Sequence, residues 1–401
     1  PTPYYIGDVI KDEKRLIART PEKFAESGVE VRLRTRVEAI DASAGAVRLS
    51  GGTTLPYDVL VIATGSRPMM PGIPGETLDG VFTLKNLSDA IRIKAYIRDR
   101  HCRRAVILGA GYIAMEMSES LRRIGLQTTV VYRGTLPAKK WDGEFSKLIL
   151  EEITQHGVEF IPGMKPVAIE KGREGSLRLL TDGPVIETDL MGLGVTPEVE
   201  LAKSAGCAIG GGTGAVQVDF TQETSREGIW SAGDCCEVFH RVSRRWTSIP
   251  LGDIANKQGR IAGINIGGRP ARFEGVVGAT SFKVFDLEVA ACGLGEKEAL
   301  ESGFSPESVL VWGTSTARSM GGPRLGLKLV ADRSTGRLLG AQAAGRGGAV
   351  RKIDVLSACL WNEADLDGLA YLDLAYAPPF GGAWDLIHIG AQELLRKIVS
   401  S

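Results

Sequence analysis

Between Arg104 and Arg133 the chain reads RAVILGAGYIAMEMSESLRRIGLQTTVVYR, and this stretch restricts the fold more than any other. The apolar run Ala105-Val106-Ile107-Leu108 predicts a buried parallel strand. Gly109-Ala110-Gly111 follows at once, and Ala114 stands where a third glycine is often found. Helical periodicity runs from Tyr112 to about Ile124, Gly125 stops it, and Thr128 to Val131 is β-rich again. Strand, glycine turn, helix and strand make the dinucleotide-binding fingerprint in the context it requires. Gly109 permits the tight turn, Gly111 lets the backbone approach a pyrophosphate, and Ala114 lets helix and strand pack closely. The helix N-terminus, at Tyr112 and Ile113, offers N–H groups and a positive dipole to the phosphates.

The second strand of this unit indicates which nucleotide it takes. A site for NADH usually ends that strand with an acid for the ribose 2′-hydroxyl, whereas an arginine accommodates a 2′-phosphate. Here the strand ends Val131-Tyr132-Arg133. Arg133 carries a fork of donors suited to phosphate, Tyr132 offers a ring for adenine, and Lys139 and Lys140 add charge. NADPH is therefore expected over NADH.

The same strand-then-glycine device occurs twice more. Tyr57 to Ala63 reads as a buried strand running into Thr64-Gly65, and Ile229-Trp230-Ser231-Ala232 runs into Gly233-Asp234. Either carboxyl end suits a ligand. Around these motifs the order is mixed. A helix is expected over 10–27, with Thr20 as cap and Pro21 at the first turn, and strands over 29–33, 37–40 and 46–49. Helices are expected from Asn86 to Arg98 and from Glu144 to His156, and Leu190 to Gly194 closes the middle region. Beyond Gly278 five strand-like runs precede two helices, Lys352 to Trp361 and Trp384 to Lys397.

The chain has 401 residues, enough for two or three domains, and 48 basic residues balance 48 acidic ones. That balance points away from nucleic acid and anionic membranes as partners. No apolar run approaches the roughly 20 residues that span a bilayer, and no signal-peptide pattern is present. The six cysteines, Cys102, Cys207, Cys235, Cys236, Cys292 and Cys359, form no CxxC pair and no metal spacing, which fits a cytoplasmic setting.

Six motifs in order, PYYIG at 3–7, ATGSRP at 63–68, GAGYIAMEM at 109–117, SAGDC at 231–235, PLGDIANKQGRIAG at 250–263 and YAPPF at 376–380, span almost the whole chain. Together they resemble the FAD-dependent pyridine nucleotide–disulfide oxidoreductases, in the branch of coenzyme A-disulfide reductase, NADH oxidase and NADH peroxidase. The resemblance implies an α/β fold with two Rossmann-like domains and an α+β C-terminal dimerisation domain. The FAD domain would be split, over 1–100 and 225–277, around an NAD(P)H domain over 101–224, and the dimerisation domain would cover 278–401. It also implies roles. Asp234 would bind the flavin's ribityl chain, with Gly233, Thr64, Gly65, Pro250, Leu251 and Ala255 around the FAD. Glu116 would lie near nicotinamide and flavin, with Gly109, Gly111, Tyr112, Ile113, Tyr132, Arg133 and Gly194 around the NAD(P)H. Tyr376 would reach the partner subunit's active site.

The family also has a first FAD fingerprint, and a redox cysteine whose place falls one position before Pro1. On that basis the chain is expected to lack about 40 upstream residues. At the coenzyme A contacts it departs from the family. Gly28 stands in place of a basic residue, Trp384 in place of a lysine, and Arg318, Ser319 and Met320 where a second tyrosine is expected. The expected enzyme is a homodimer that passes hydride from NADPH, or NADH, through FAD to a cysteine centre and reduces a disulfide, persulfide or peroxide. Two alternatives stay open: a thiol-independent oxidase or carrier-protein reductase, and an inactive chain that binds nucleotide alone.

Overall fold

A computed structural model describes residues 1–68, 70–193 and 195–400. The chain forms two compact units. One gathers Pro1–Lys11, Met70–Gly194 and Val277–Ser401, and the other Asp12–Met69 and Val195–Val276.

The first unit contains a five-stranded parallel sheet in the order Val81–Thr83, Leu190–Leu193, Arg104–Leu108, Gln127–Tyr132 and Val158–Pro162. Its middle strands bury Val106 and Val131 against Ile169, Leu177 and Met191, which accounts for their unbroken apolar sequences. The helix Tyr112–Arg123 follows the glycine turn, and Gly143–Gln155 precedes the last strand. The C-terminal part of the same unit is an antiparallel sheet ordered Thr280–Val284, Leu287–Gly293, Leu338–Gly345, Arg324–Asp332 and Pro306–Thr314. Helix Ala349–Trp361 packs on its Leu287–Gly293 and Leu338–Gly345 strands, and helix Leu386–Val399 on Pro306–Thr314 and Arg324–Asp332.

Polar and aromatic groups fasten the two sheets' elements together. Trp141 meets Phe282 edge-on at 5.1 Å, and His156 stacks flat on Phe285 at 4.0 Å. Glu119 accepts the Phe285 amide at 2.8 Å, and Glu152 pairs with Arg346 at 2.9 Å. Lys328 is 4% exposed, and its ammonium lies 2.7 Å from Asp142, 2.9 Å from Glu296 and 3.2 Å from Glu144. At the unit's N-terminus the short helix Thr2–Ile6 presses on Tyr112–Arg123. A Cβ on Gly7 would come within 2.9 Å of the Ser120 Cα. Lys94 holds the short helix from the other side, lying 4.1 Å from the Tyr5 ring centre and 2.7 Å from Asp8.

The second unit is smaller. Leu60–Ile62 and Ile229–Ser231 pair in parallel, and Val37–Asp41, Ala46–Leu49 and Thr54–Pro56 form an antiparallel meander. Ile40, Ile62, Val216, Ile229 and Cys236 share one core, and helix Gly252–Ile266 adds Ile254 to a second.

Two sequence expectations fail here. In place of a helix over 10–27 there is a 3₁₀ turn, Glu13–Leu16, and a five-residue helix, Pro21–Ala25. Thr20 does cap the latter, accepting the Lys23 amide at 3.4 Å. The strand expected at 29–33 is absent. Ile17, Val29, Val31 and Leu33 are all exposed. A periodic apolar face stabilises an element only when it is buried, and these residues bury none. Among the described residues, no helix is long and apolar enough to cross a membrane.

Candidate functional site

The nucleotide turn lies in the first unit. Gly109 has φ +106°, and its amide donates to Val131 O at 2.9 Å, locking the turn to the neighbouring strand. Only glycine adopts that backbone readily. A Cβ built on Gly109 or Gly111 meets no atom within 4 Å, so the turn faces open space. Ala110 O accepts the Ala138 amide at 2.7 Å, fixing the loop from below. Gly111 is the N-cap of Tyr112–Arg123, and no side chain caps that helix. The turn therefore fits a pyrophosphate, with the first amides of the helix pointing into the space the missing side chains leave.

Tyr132 is half-buried, tilted against Phe160 at 6.5 Å, and Arg133 beside it is exposed. Among the described residues no carboxylate pairs with Arg133. Lys140 Nζ donates to Gly278 O at 3.3 Å, and burial lowers its pKa.

Glu116, one turn into the helix, is not on a solvated face. It is half-buried; burial raises its carboxyl pKa, and Glu119 adds to the rise. Tyr4, on the helix that crosses here, is raised too, by burial and then by Glu116 and Glu119. Gly194 lies outside the described residues.

The second unit holds the other cluster. Leu60–Ile62 and Ile229–Ser231 are parallel, so their carboxyl ends, Thr64-Gly65 and Gly233-Asp234, share one edge. Thr64 Oγ1 donates to Glu198 O at 2.7 Å, and Gly65, at φ +68°, accepts the Glu198 amide at 2.9 Å. Asp234 takes a hydrogen bond from Ser66 Oγ at 3.1 Å. Gly233, at φ +92°, donates to Gln258 Oε1 at 3.0 Å, and a Cβ there would sit 3.5 Å from the Ala255 Cβ. The Gln258 amide in turn donates to Glu237 O at 2.9 Å. Helix Gly252–Ile266 begins after Pro250-Leu251 without a side-chain cap. A fixed carboxylate beside a glycine turn and an uncapped helix start suits a polyhydroxylated, phosphorylated cofactor such as FAD. Ser66 and Gln258 were missed from sequence. Both sit inside the recognised motifs, ATGSRP and PLGDIANKQGRIAG, but only the fold shows that they orient the Gly233-Asp234 corner.

Tyr376 is 57% exposed, on the irregular segment between helices Leu366–Ala370 and Leu386–Val399, and is not a core residue. His388 ties down one end of the segment, bonding Leu372 O through Nε2 at 2.7 Å and accepting the Asp385 amide through Nδ1 at 3.1 Å. Lys352 pairs with Asp385, and the Ala317 amide donates to Pro378 O at 2.8 Å.

All six cysteines are free thiols. Cys235 and Cys236 are buried and point at backbone carbonyls, Cys235 at Ala232 O (3.5 Å) and Cys236 at Gly233 O (3.4 Å). Burial raises Cys236 far up, Cys292 to about 12 and Cys102 to about 11. A redox thiol must ionise readily, so these three do not suit that role.

Residues 4–259 match the pyridine nucleotide-disulphide oxidoreductase family, and residues 279–386 match that family's dimerisation domain. The chain is 34% identical to an NAD(P)H sulfur oxidoreductase (CoA-dependent) of Pyrococcus furiosus, over 97% of this chain and 89% of that protein. The structure of an NAD-dependent persulfide reductase from A. fulgidus superposes with a TM-score of 0.95 at 33% identity, over 100% of this chain and 76% of that one. An engineered NADPH oxidase derived from a water-forming NADH oxidase of Lactobacillus brevis superposes with a TM-score of 0.94 at 27% identity, over 100% and 90%. Its five substitutions remove an aspartate and introduce two arginines. The chain belongs to the pyridine nucleotide-disulphide oxidoreductase family. It is an α/β flavoprotein, an FAD-dependent NAD(P)H oxidoreductase.

Proposed function

We propose that this enzyme reduces a disulfide or persulfide with NADPH. For a disulfide the balance is NADPH + H⁺ + RSSR → NADP⁺ + 2 RSH. For a persulfide it is NADPH + H⁺ + RSSH → NADP⁺ + RSH + H₂S. The observation that carries this reading is the shared carboxyl edge of Leu60–Ile62 and Ile229–Ser231, where Ser66 holds the Asp234 carboxylate. When bound there, FAD supplies the two-electron relay between nicotinamide and sulfur. Asp234, Gly233, Thr64, Gly65, Pro250, Leu251 and Ala255 hold it. Gly109, Gly111, Tyr112 and Ile113 cradle the pyrophosphate of the nucleotide, and Glu116, whose pKa burial raises, faces the nicotinamide end. Residues 1–100 and 225–277 form the FAD domain, 101–224 the NAD(P)H domain and 278–401 the dimer contact, and Tyr376 of each copy serves its partner's acceptor site. The redox cysteine of this reading is the one that the family resemblance expects at the position before Pro1. The sulfur chemistry named for the Pyrococcus and A. fulgidus proteins supports this acceptor class.

FAD-loaded protein without oxygen should consume one NADPH for each sulfur–sulfur bond cleaved. NADPH consumption that requires oxygen and ignores disulfides, persulfides and peroxides would replace this reading with the thiol-independent oxidase.

Arg133 sets the nucleotide preference. The exchange made in the engineered NADPH oxidase, loss of an acid and gain of arginines, supports that assignment. A phosphate–arginine pair contributes about 1.5–3 kcal/mol. Arg133→Ala should therefore raise the KM for NADPH by about tenfold or more and leave that for NADH within about twofold. A wild-type enzyme that uses NADH as well as NADPH, or a variant that loses both equally, would refute it.

A further inference from the structure

Where helix Gly143–Gln155 meets the antiparallel sheet, the first unit holds a group of ligand-type side chains that the nucleotide and flavin sites do not use. Glu152 lies in that helix, and His156, its C-cap residue, follows one turn later on the same face. Asp286 stands in the turn between strands Thr280–Val284 and Leu287–Gly293. One ring nitrogen of His156 and one carboxylate oxygen each of Glu152 and Asp286 all lie within 4.8 Å of one another. The His156 ring stacks on Phe285 at 4.0 Å, and its Nδ1 lies 2.9 Å from Glu152 O. Ligating histidines are commonly oriented in this way, with the second ring nitrogen bonded to a backbone carbonyl. Glu152 is 4% exposed, and its two oxygens accept from Arg346 at 2.9 Å and from the Asp286 amide at 3.0 Å. Asp286 is exposed, and among the described residues no lysine or arginine pairs with it.

We propose that Glu152, His156 and Asp286 bind one divalent cation of the zinc type, which pins helix Gly143–Gln155 to the turn at 285–286. An imidazole with two carboxylates suits zinc, whereas magnesium and calcium take oxygen ligands. Three protein ligands and a water complete a four-coordinate shell. Each Glu152 oxygen has a second lone pair, so the Arg346 and Asp286 amide bonds leave room for a metal. Ligand atoms on a tetrahedral zinc stand roughly 3.4 Å apart, so the set contracts on binding, and the exposed Asp286 carboxylate is the one free to move. The local charge favours a dication. Glu119 accepts the Phe285 amide and pairs with Lys283 at 3.7 Å, and Glu152 pairs with Arg346. With Asp286 that makes three carboxylates against two cations, a net negative charge. A cleft of about 190 Å³, with Glu152, Gln155 and Arg346 in its wall, opens beside the cluster and gives a cation its way in.

The test uses zinc chloride as the probe and the FAD-loaded enzyme, stripped beforehand with EDTA. Equilibrium dialysis against micromolar zinc should leave about one metal per chain. X-ray absorption at the zinc edge should show nitrogen and oxygen neighbours at about 2.0–2.1 Å and no sulfur at about 2.3 Å. That spectrum separates this site from the six free thiols. Saturating zinc should raise the thermal midpoint by about 3 °C or more, and magnesium at the same concentration should not. Asp286→Asn should weaken zinc binding at least about tenfold. His156→Phe, which keeps a ring against Phe285, should abolish both the binding and the thermal shift. The proposal fails if the wild type takes up no zinc, if the zinc has sulfur neighbours, or if the two variants bind it as the wild type does. Should His156→Phe not fold, Asp286→Asn decides alone, since Asp286 is exposed.

Discussion

Lys328→Ala should destabilise the first unit by about 3 kcal/mol, because removing one partner of a buried ion cluster leaves charge uncompensated. Lys328 is almost fully buried, and Asp142, with a side chain 20% exposed, loses its closest cation. Glu144 and Glu296 are nearly half-exposed and recover part of their solvation, which keeps the loss near the lower end. The same cluster predicts acid sensitivity. Burial tends to raise the Glu296 pKa, but Ser308 and Lys328 outweigh it and the net shift is downward. A carboxyl held below its unfolded value adds stability that is complete above the unfolded pKa, near 4.5, and disappears as pH falls through the folded one. Thermal unfolding followed from pH 7 down to pH 3 should show a steeper loss for the wild type than for the alanine variant, whose midpoint starts lower. A variant as stable as the wild type at pH 7 would mean that the cluster is solvated and contributes nothing. Lys328→Met combined with Asp142→Asn should recover most of the loss, since it removes the orphaned charge with the lysine.

Asp234→Ala should cost the enzyme its flavin. The Asp234 carboxylate is held by Ser66 on the edge where both parallel strands end. A charged hydrogen bond of this kind contributes about 1.5–3 kcal/mol, so FAD affinity should fall by about ten- to a hundredfold. The purified variant should come out with little yellow colour, and titration with FAD should give the weakened dissociation constant. Asp234→Asn keeps the shape and an acceptor oxygen and should retain more flavin than alanine does. A fully flavinated alanine variant would remove Asp234 from the site. Gln258→Leu should loosen flavin more mildly, since Gln258 only orients the Gly233 amide.

The nucleotide turn was legible because each step of it is local. Gly109 must take φ +106°, and that demand is written into the residue itself. The strand at Arg104–Leu108, the helix at Tyr112–Arg123 and the strand at Gln127–Tyr132 all fall within a residue or two of where periodicity put them. The antiparallel C-terminal sheet was equally readable from strand-like runs, and the motif order led to the family. The stretch at 10–33 failed because its apolar pattern looked amphipathic, yet Ile17, Val29, Val31 and Leu33 find no surface to cover.

From the sequence alone came the α/β class, the glycine turns and the family, since each depends on short-range backbone demands or on motifs contiguous in the chain. Only the tertiary structure decided which distant groups meet. It brought Asp142, Glu144 and Glu296 onto Lys328, Gln258 onto Gly233, Ser66 onto Asp234, and Ala317 and Arg351 onto the two flanks of the YAPPF segment. These contacts join residues from 25 to more than 160 positions apart, and no periodicity records them. They arise because packing the sheets and helices leaves each buried charge or amide to find its partner from another element.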